Sequence, residues 1–302
     1  MPSRPYTSEG DLVLLIDFAR TVTGARWPGT TYWHIGDLVW LLFAGTDFDA
    51  RRNVRLSMDH EAVVGVAWFE PPDYAQFDVR PGTTLDIMND MLAWAEQRCS
   101  ELKGLEGDDV TLTATALESH ADRIALLERN DYARTDRYGV RMRRSLRAPI
   151  AAPPLPEGMR LRHATDADID ERVDVHRDAW SVWGPSRVTA EAYRRLRKAP
   201  RYEQELDVVL ETADGTFASY CIGWQDQANG VGYFEPVGTR PHFAGQGLAR
   251  LVVFETLHRL RERGMHTAVM QTASINPRAL ALYQSCGFEV IEREYWYEKR
   301  LS

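Results

Sequence analysis

Apolar positions along the chain change period repeatedly, and each change marks an element. Residues 12–22 repeat at helical spacing, with Leu15, Phe18, Ala19 and Val22 on one stripe and Ser8 and Asp11 as a cap ahead of it. Short β-prone runs follow at 39–43, 54–58 and 62–69, then a Pro71-Pro72-Asp73 turn and a further run at 76–79. Helical period returns at 86–98 through Ile87, Met91 and Trp94 or Ala95. Residues 110–116 alternate as a strand, 120–130 read as a helix, and 138–142 close as a strand.

Composition then shifts. Residues 148–158 carry Pro149, Pro153, Pro154 and Pro156, which reads as a semi-rigid linker and a domain boundary. Beyond it the pattern starts over. A strand at 159–162 leads to a helix carrying Ile169, Val173, His176 and Trp180, with a second helix near 189–197. Strands at 206–211 and 217–224 join through Asp214-Gly215, and Asn229-Gly230 turns into a strand at 231–237. A helix follows with Ala249, Val253, Leu257 and Leu260 on one face, then a strand at 267–272, a helix from Asn276 and a last strand at 288–297. The first half repeats this order in blurred form, so the chain reads as an internal duplication of about 150 residues.

Two stretches of the second half carry chemistry. The strand ending near Val237 passes through a loop with Gly245 and Gly247 directly into a helix. The first N–H groups of a helix lack internal partners and sit at the positive end of its dipole, so such a junction suits an anion. Glycines let a phosphate approach the backbone where a Cβ would block it. The second stretch, N-P-R-A-L-A-L-Y-Q-S-C-G-F over 276–288, has Pro277 in a first turn and Gly287 as a C-cap.

Together these stretches resemble the GCN5-related N-acetyltransferase (GNAT) family over roughly residues 158–302. A-G-Q-G-L-A at 244–249 occupies the family's Q/R-x-x-G-x-G/A loop, with Ala244 in place of its Arg or Gln. Asn276, Ala279, Leu282, Tyr283, Gly287 and Phe288 match every fixed position of N-x-x-A-x-x-L-Y-x-x-x-G-F. The resemblance implies an α/β (α+β mixed sheet) fold: two tandem acetyltransferase-like domains, each a mostly antiparallel mixed sheet flanked by helices. It divides the chain into a degenerate domain (1–147), the linker (148–158) and a working domain (159–302).

The resemblance further implies direct transfer of an acetyl group from acetyl-CoA to the primary amine of a small molecule. Val237, Thr239, Gly245, Gln246, Gly247, Leu248, Ala249, Arg250, Asn276 and Tyr283 are then the cofactor-binding candidates. Tyr283 matches the family's general acid for the departing thiolate, against a reading as a core tyrosine. Glu235, among apolar neighbours in the strand before the loop, is the candidate general base, because burial raises a carboxyl pKa. It also reads as a structural carboxylate. Arg250 or Arg240 could pair with CoA phosphates or be solvated surface charges. Trp180 and Trp183 could wall an acceptor pocket or pack between the halves. His176 reads as a satisfied core histidine, His242 as a loop histidine and Cys286 as a structural cysteine.

In the first half the glycine-spaced loop is missing, Leu127 stands for the tyrosine, His120 for the asparagine, and Phe77 falls opposite Glu235. That half is expected to brace its partner and to wall part of the acceptor site. A formal charge of −8 argues against nucleic acid as a main partner, no apolar run approaches a membrane span of roughly 18 residues, and three scattered cysteines offer neither metal nor disulfide spacing. These features lead to the expectation of a cytoplasmic monomer or homodimer without a metal. A CoA-binding sensor or scaffold without turnover, and a mycothiol synthase-like or aminoglycoside-acetylating enzyme, are the competing readings.

Overall fold

The computed structural model describes residues 2–26, 31–45, 48–106 and 110–301. The first half runs β1 (Ser3–Pro5), α1 (Glu9–Arg26), α2 (Ile35–Ala44), α3 (Ala50–Asn53), β2 (Val54–Asp59), β3 (Ala62–Glu70), β4 (Tyr74–Val79), α4 (Leu85–Glu106), β5 (Val110–Leu117), α5 (Ala121–Arg129) and β6 (Ala133–Ser145). The second runs β7 (Arg160–His163), α6 (Ile169–Trp180), α7 (Ala190–Arg197), β8 (Asp207–Glu211), β9 (Phe217–Asp226), β10 (Val231–Thr239), α8 (Leu248–Glu262), β11 (Thr267–Ala273), α9 (Pro277–Ser285) and β12 (Glu289–Leu301).

All twelve strands join one sheet in the order β1-β2-β3-β4-β5-β12-β6-β11-β10-β9-β8-β7. The halves exchange their last strands: β12 lies between β5 and β6, and β6 lies between β12 and β11, all antiparallel. The proline-rich stretch thus divides the sequence while the sheet runs continuously across it. At the exchange, Glu294 of β12 is buried against Arg141 of β6 and accepts hydrogen bonds from Thr115 Oγ1 at 2.5 Å and Gln76 Nε2 at 2.8 Å. Burial alone would raise its pKa, but these partners hold it below the usual carboxylate range. A one-residue slip of β12 would turn Glu294 away from all three partners, so the network marks the register.

One face of the sheet carries a core shared by both halves, with Phe18, Leu38 and Trp68 packing alongside Tyr193, Ile222 and Trp224. The other face holds two separate cores. Val252, Leu257, Phe234 and Tyr283 build one around α8 and α9. Met91, Leu92, Leu127 and Phe77 build the other around α4 and α5. Among the described residues, no helix is long and apolar enough to cross a membrane.

Two expectations need correction. Residues 39–43 are not a strand but the end of α2. A continuous apolar run does not distinguish a strand from a buried helix by period alone, and α2 is packed by α1, α7, β9 and β10. The signal lay upstream, where Gly36 N–H donates to His34 Nδ1 at 3.0 Å and His34 N–H to Asp37 Oδ2 at 2.7 Å, capping the helix. Phe77 is the second. It packs on the α4–α5 face, and its neighbour Gln76 is the β4 residue that faces the same way as Glu235. The register of β10 against β9 slips between Phe234 and Val237, whereas β4 pairs with β3 without a break. That extra residue in β10 displaces the alignment by one. Strand β1 and helix α3 were too short for any periodic signal.

Candidate functional site

The site is built where β10 and β11 part. Their parallel pairing covers only Val231–Tyr233 and Thr267–Val269, although both strands continue. From Glu235 to Thr239 the β10 edge towards β11 has no strand partner among the described residues, which leaves main-chain donors and acceptors along a gap. At the end of β10 the chain enters the glycine loop. Gly245 and Gly247 have φ of +79° and +77°, a region that L side chains rarely enter, and a Cβ at either would meet nothing within 4 Å. Gly247 is the N-cap of the fifteen-residue α8. An open, glycine-lined helix start beside a strand edge without a partner fits the pyrophosphate and amide chain of a coenzyme A derivative.

The remaining loop candidates divide by geometry. Leu248 is buried in the α8 core, so only its N–H can face an anion. Gln246 Nε2 lies 3.3 Å from His242 O, and Ala249 is half-buried. Val237 is half-buried on the same gap, while the Thr239 hydroxyl is engaged with Ser219 Oγ at 2.8 Å, leaving its backbone. Arg250 folds over Phe254 with Nη2 3.4 Å from Ser285 O, and its buried Nε has no partner among the described residues. Arg240 is neither a phosphate partner nor a surface charge. It is buried, and its guanidinium is held by Glu171 at 2.7 Å and Asp178 at 2.8 Å, both from α6. Asn276 caps α9, accepting from Ala279 N–H at 3.1 Å.

Tyr283 and Glu235 approach the gap from opposite faces of the sheet. Tyr283, on α9, is buried beside Phe288, and burial raises its pKa, so the phenol keeps its proton. Glu235 follows Tyr233 on the other face, with a cis peptide to Pro236 and its main-chain oxygen accepting from Trp224 Nε1 at 2.6 Å. Its carboxyl has no hydrogen bond or ion pair among the described residues. Burial first, and the Asp37 charge second, push its pKa up to about 8. His242 is exposed, its ring tilted at 39° against Phe243 with the centroids 3.8 Å apart. Cys286 is buried, its thiol pushed up by that burial.

Glu235 opens into a cavity of about 870 Å³ between the halves. Trp180 and Trp183 both line it, Trp183 remaining 54% exposed. His176 lines it as well, bonded through Nδ1 to Tyr220 Oη at 2.6 Å and stacked on Trp180. Burial holds its pKa down at about 3, so it is neutral. The residues that motif reading missed come from the first half: Tyr32, Asp37, Trp40, Glu70 and Arg141. A usable signal existed for two of them, since Asp37 interrupts an apolar helix and Glu70 ends an apolar strand before Pro71.

The corresponding gap in the first half is plugged. Strands β4 and β5 pair only at Tyr74 and Ala75 before parting. There the buried Arg123 of α5 donates to Phe77 O and, at 2.8 Å, to Gln76 Oε1. Its guanidinium lies 3.7 Å from the Phe77 ring centroid and 4.1 Å from that of Tyr32. Counting from His120 as from Asn276, Arg123 stands where the second half has Ala279.

Comparison with known proteins accords with this architecture. Residues 172–288 match the family model described as acetyltransferase (GNAT) family. The chain is 26% identical over 199 residues to a mycothiol acetyltransferase of Saccharomonospora viridis, covering 59% of this chain and 65% of that protein. For the first few curated relatives, the matched stretch spans about half to two thirds of their length. A GCN5-related N-acetyltransferase from Sphaerobacter thermophilus superposes with a TM-score of 0.68 at 19% identity, over 99% of this chain and 95% of that one. A tandem GNAT protein from the clavulanic acid biosynthesis pathway gives 0.66 at 16% identity, over 99% and 98%. The two structures share the fold along nearly the whole chain.

Proposed function

We propose, because residues 172–288 match the acetyltransferase (GNAT) family model, that the protein is an acetyl-CoA-dependent N-acetyltransferase acting on the primary amine of a small molecule, with its reaction centre at the gap between β10 and β11. What supports this reading is the placement of the Glu235 carboxyl and the Tyr283 phenol on opposite faces of the sheet, beside the parting of β10 and β11 that precedes the glycine-lined start of α8. Acetyl-CoA supplies the activated acetyl group. The loop N–H groups from Gly245 to Ala249 hold its phosphates, and the free β10 edge orients its amide chain. Glu235 takes the proton from the acceptor's ammonium group, which is not a nucleophile until it does so. Tyr283 stays protonated at working pH and directs its O–H towards the sulfur side.

Tyr283→Phe is expected to retain acetyl-CoA affinity within about threefold and to lose about 10²–10⁴ in kcat, the usual range for a positioned acid. Steady-state CoA release with an amine panel, beside calorimetry, checks both halves of the statement. An unchanged kcat would remove the acid role. A CoA-binding sensor without turnover would release no more CoA than this variant.

Residues 1–147 bind no coenzyme in this reading, since Arg123 fills the space and takes the main-chain acceptor that a ligand would need. Calorimetric titration is expected to give one acetyl-CoA per chain. Two equivalent sites would overturn the assignment.

A narrower reading is favoured by the relatives' names: a mycothiol-type acceptor in the same cavity. Its addition to the amine panel tests it directly.

A further inference from the structure

We infer that the acceptor carries two cationic groups, one reacting at Glu235 and a second held by Glu70 of the first half. The inference rests on reading the inter-half cavity as the acceptor site. Among the described residues, four acidic side chains line that cavity, namely Asp37, Glu70, Glu235 and Glu294, and the basic ones are Arg141, Arg187 and His176. Glu294 is satisfied by Arg141, Thr115 and Gln76. Asp37 is buried and accepts from His34 N–H. His176 is neutral and engaged with Tyr220. Arg187 is exposed and has an interaction of its own.

Glu70 and Glu235 are left. They come from opposite halves, and neither carboxyl has a hydrogen bond or ion pair among the described residues. Both lie within electrostatic reach of Asp37, and burial together with that charge raises Glu70 to about 7 and Glu235 to about 8. Carboxyls lining one partly desolvated cavity, each beside a further carboxylate, hold their protons until a cation replaces them. One ammonium group neutralises only one of the two, so a monoamine leaves the other either protonated or uncompensated.

The walls fit the same ligand. Trp40, Phe48, Tyr74, Trp180 and Trp183 supply aromatic faces for a spacer and for cation–π contact with its ends. Arg141 also lines the cavity, and its buried Nε has no partner among the described residues, which offers a donor to an oxygen on the spacer. A ring or a hydroxylated chain bearing two amines meets all of these demands.

The test compares putrescine and cadaverine with butylamine and pentylamine, in turnover and in calorimetric binding to the full chain. The diamines are expected to exceed the monoamines at least about tenfold in kcat/KM and in affinity, the worth of one charge-assisted contact. In Glu70→Gln that ratio is expected to fall to about one, chiefly through a higher KM for the diamine. A ratio of one in the parent protein, or a diamine preference surviving Glu70→Gln, would overturn the inference. If no amine is turned over but putrescine outbinds butylamine and Glu70→Gln abolishes the difference, the dication stands and acetyl transfer fails. If the amines are turned over without diamine preference, acetyl transfer stands and the dication fails.

Discussion

Replacing Gly247 with glutamate is expected to abolish acetyl-CoA binding, with affinity falling by more than about 100-fold in calorimetric titration. Two effects add. Gly247 sits at φ +77°, where a side chain costs roughly 1–2 kcal/mol of backbone strain, and relief of that strain would tilt the first turn of α8. The second effect is charge. The N–H groups opening α8 and the positive end of its dipole face the space into which the new carboxylate would project, so the protein's own anion occupies the place of the phosphate. Gly247→Ala separates the two. Nothing lies within 4 Å of an added Cβ, so alanine introduces strain without a clash or a charge, and about a tenfold loss is expected. Acetyl-CoA affinity within about threefold of the parent in Gly247→Glu would remove the loop from the cofactor site. The absent Arg or Gln at Ala244 matters less in this scheme, because the loop acts through its main chain.

The second half was legible in the sequence because its elements are marked by local features. Glycines at fixed spacing, a capping Asn276 with Pro277 and a C-cap Gly287 each leave a mark within a dozen residues. Strand exchange leaves none. Strands β6 and β12 have the lengths and alternation of ordinary closing strands, and only the tertiary pairing of Arg141 with Glu294 tells which neighbour each has taken. Part of the cavity was hidden for the same reason. Besides Trp180, Trp183 and Glu235, its lining comes from α2, the end of β3 and the exchanged strands, which are far apart in sequence and match no motif. The first half's departures from the two motifs were legible, in Leu127 and His120. The filling of its strand gap was not, because Arg123 reads as an ordinary charge on an amphipathic helix until β4 and β5 are seen to part around it. The slip that misplaced Phe77 has a comparable origin, since a bulge adds a residue without altering the apolar pattern enough to be noticed.

Glu235→Gln separates catalysis from structure through pH. A carboxyl raised to about 8 is mostly protonated below that pH, so the parent's kcat/KM is expected to rise tenfold per pH unit and level off near 8. Without the base, the variant must wait for acceptor that has lost its proton to water. Its rate should therefore keep rising until the amine itself titrates, near 10 for an ordinary alkylammonium. The deficit is then constant below pH 8, on the order of 10²–10⁴, and narrows by up to about 100-fold between 8 and the amine's pKa. Stability moves the other way. In the unfolded chain the carboxyl titrates near 4.5, so between about 4.5 and 8 the folded state binds more protons than the unfolded one, and Glu235 lowers stability as pH rises through that window. Glutamine removes that penalty, and Tm is expected to rise at pH 8 relative to the parent while acetyl-CoA affinity is retained. A structural carboxylate with a hidden partner would do the opposite, losing Tm on substitution and leaving the pH profile in place. A Tm that rises on substitution together with a pH profile that loses its plateau near 8 would assign Glu235 to proton transfer rather than to packing.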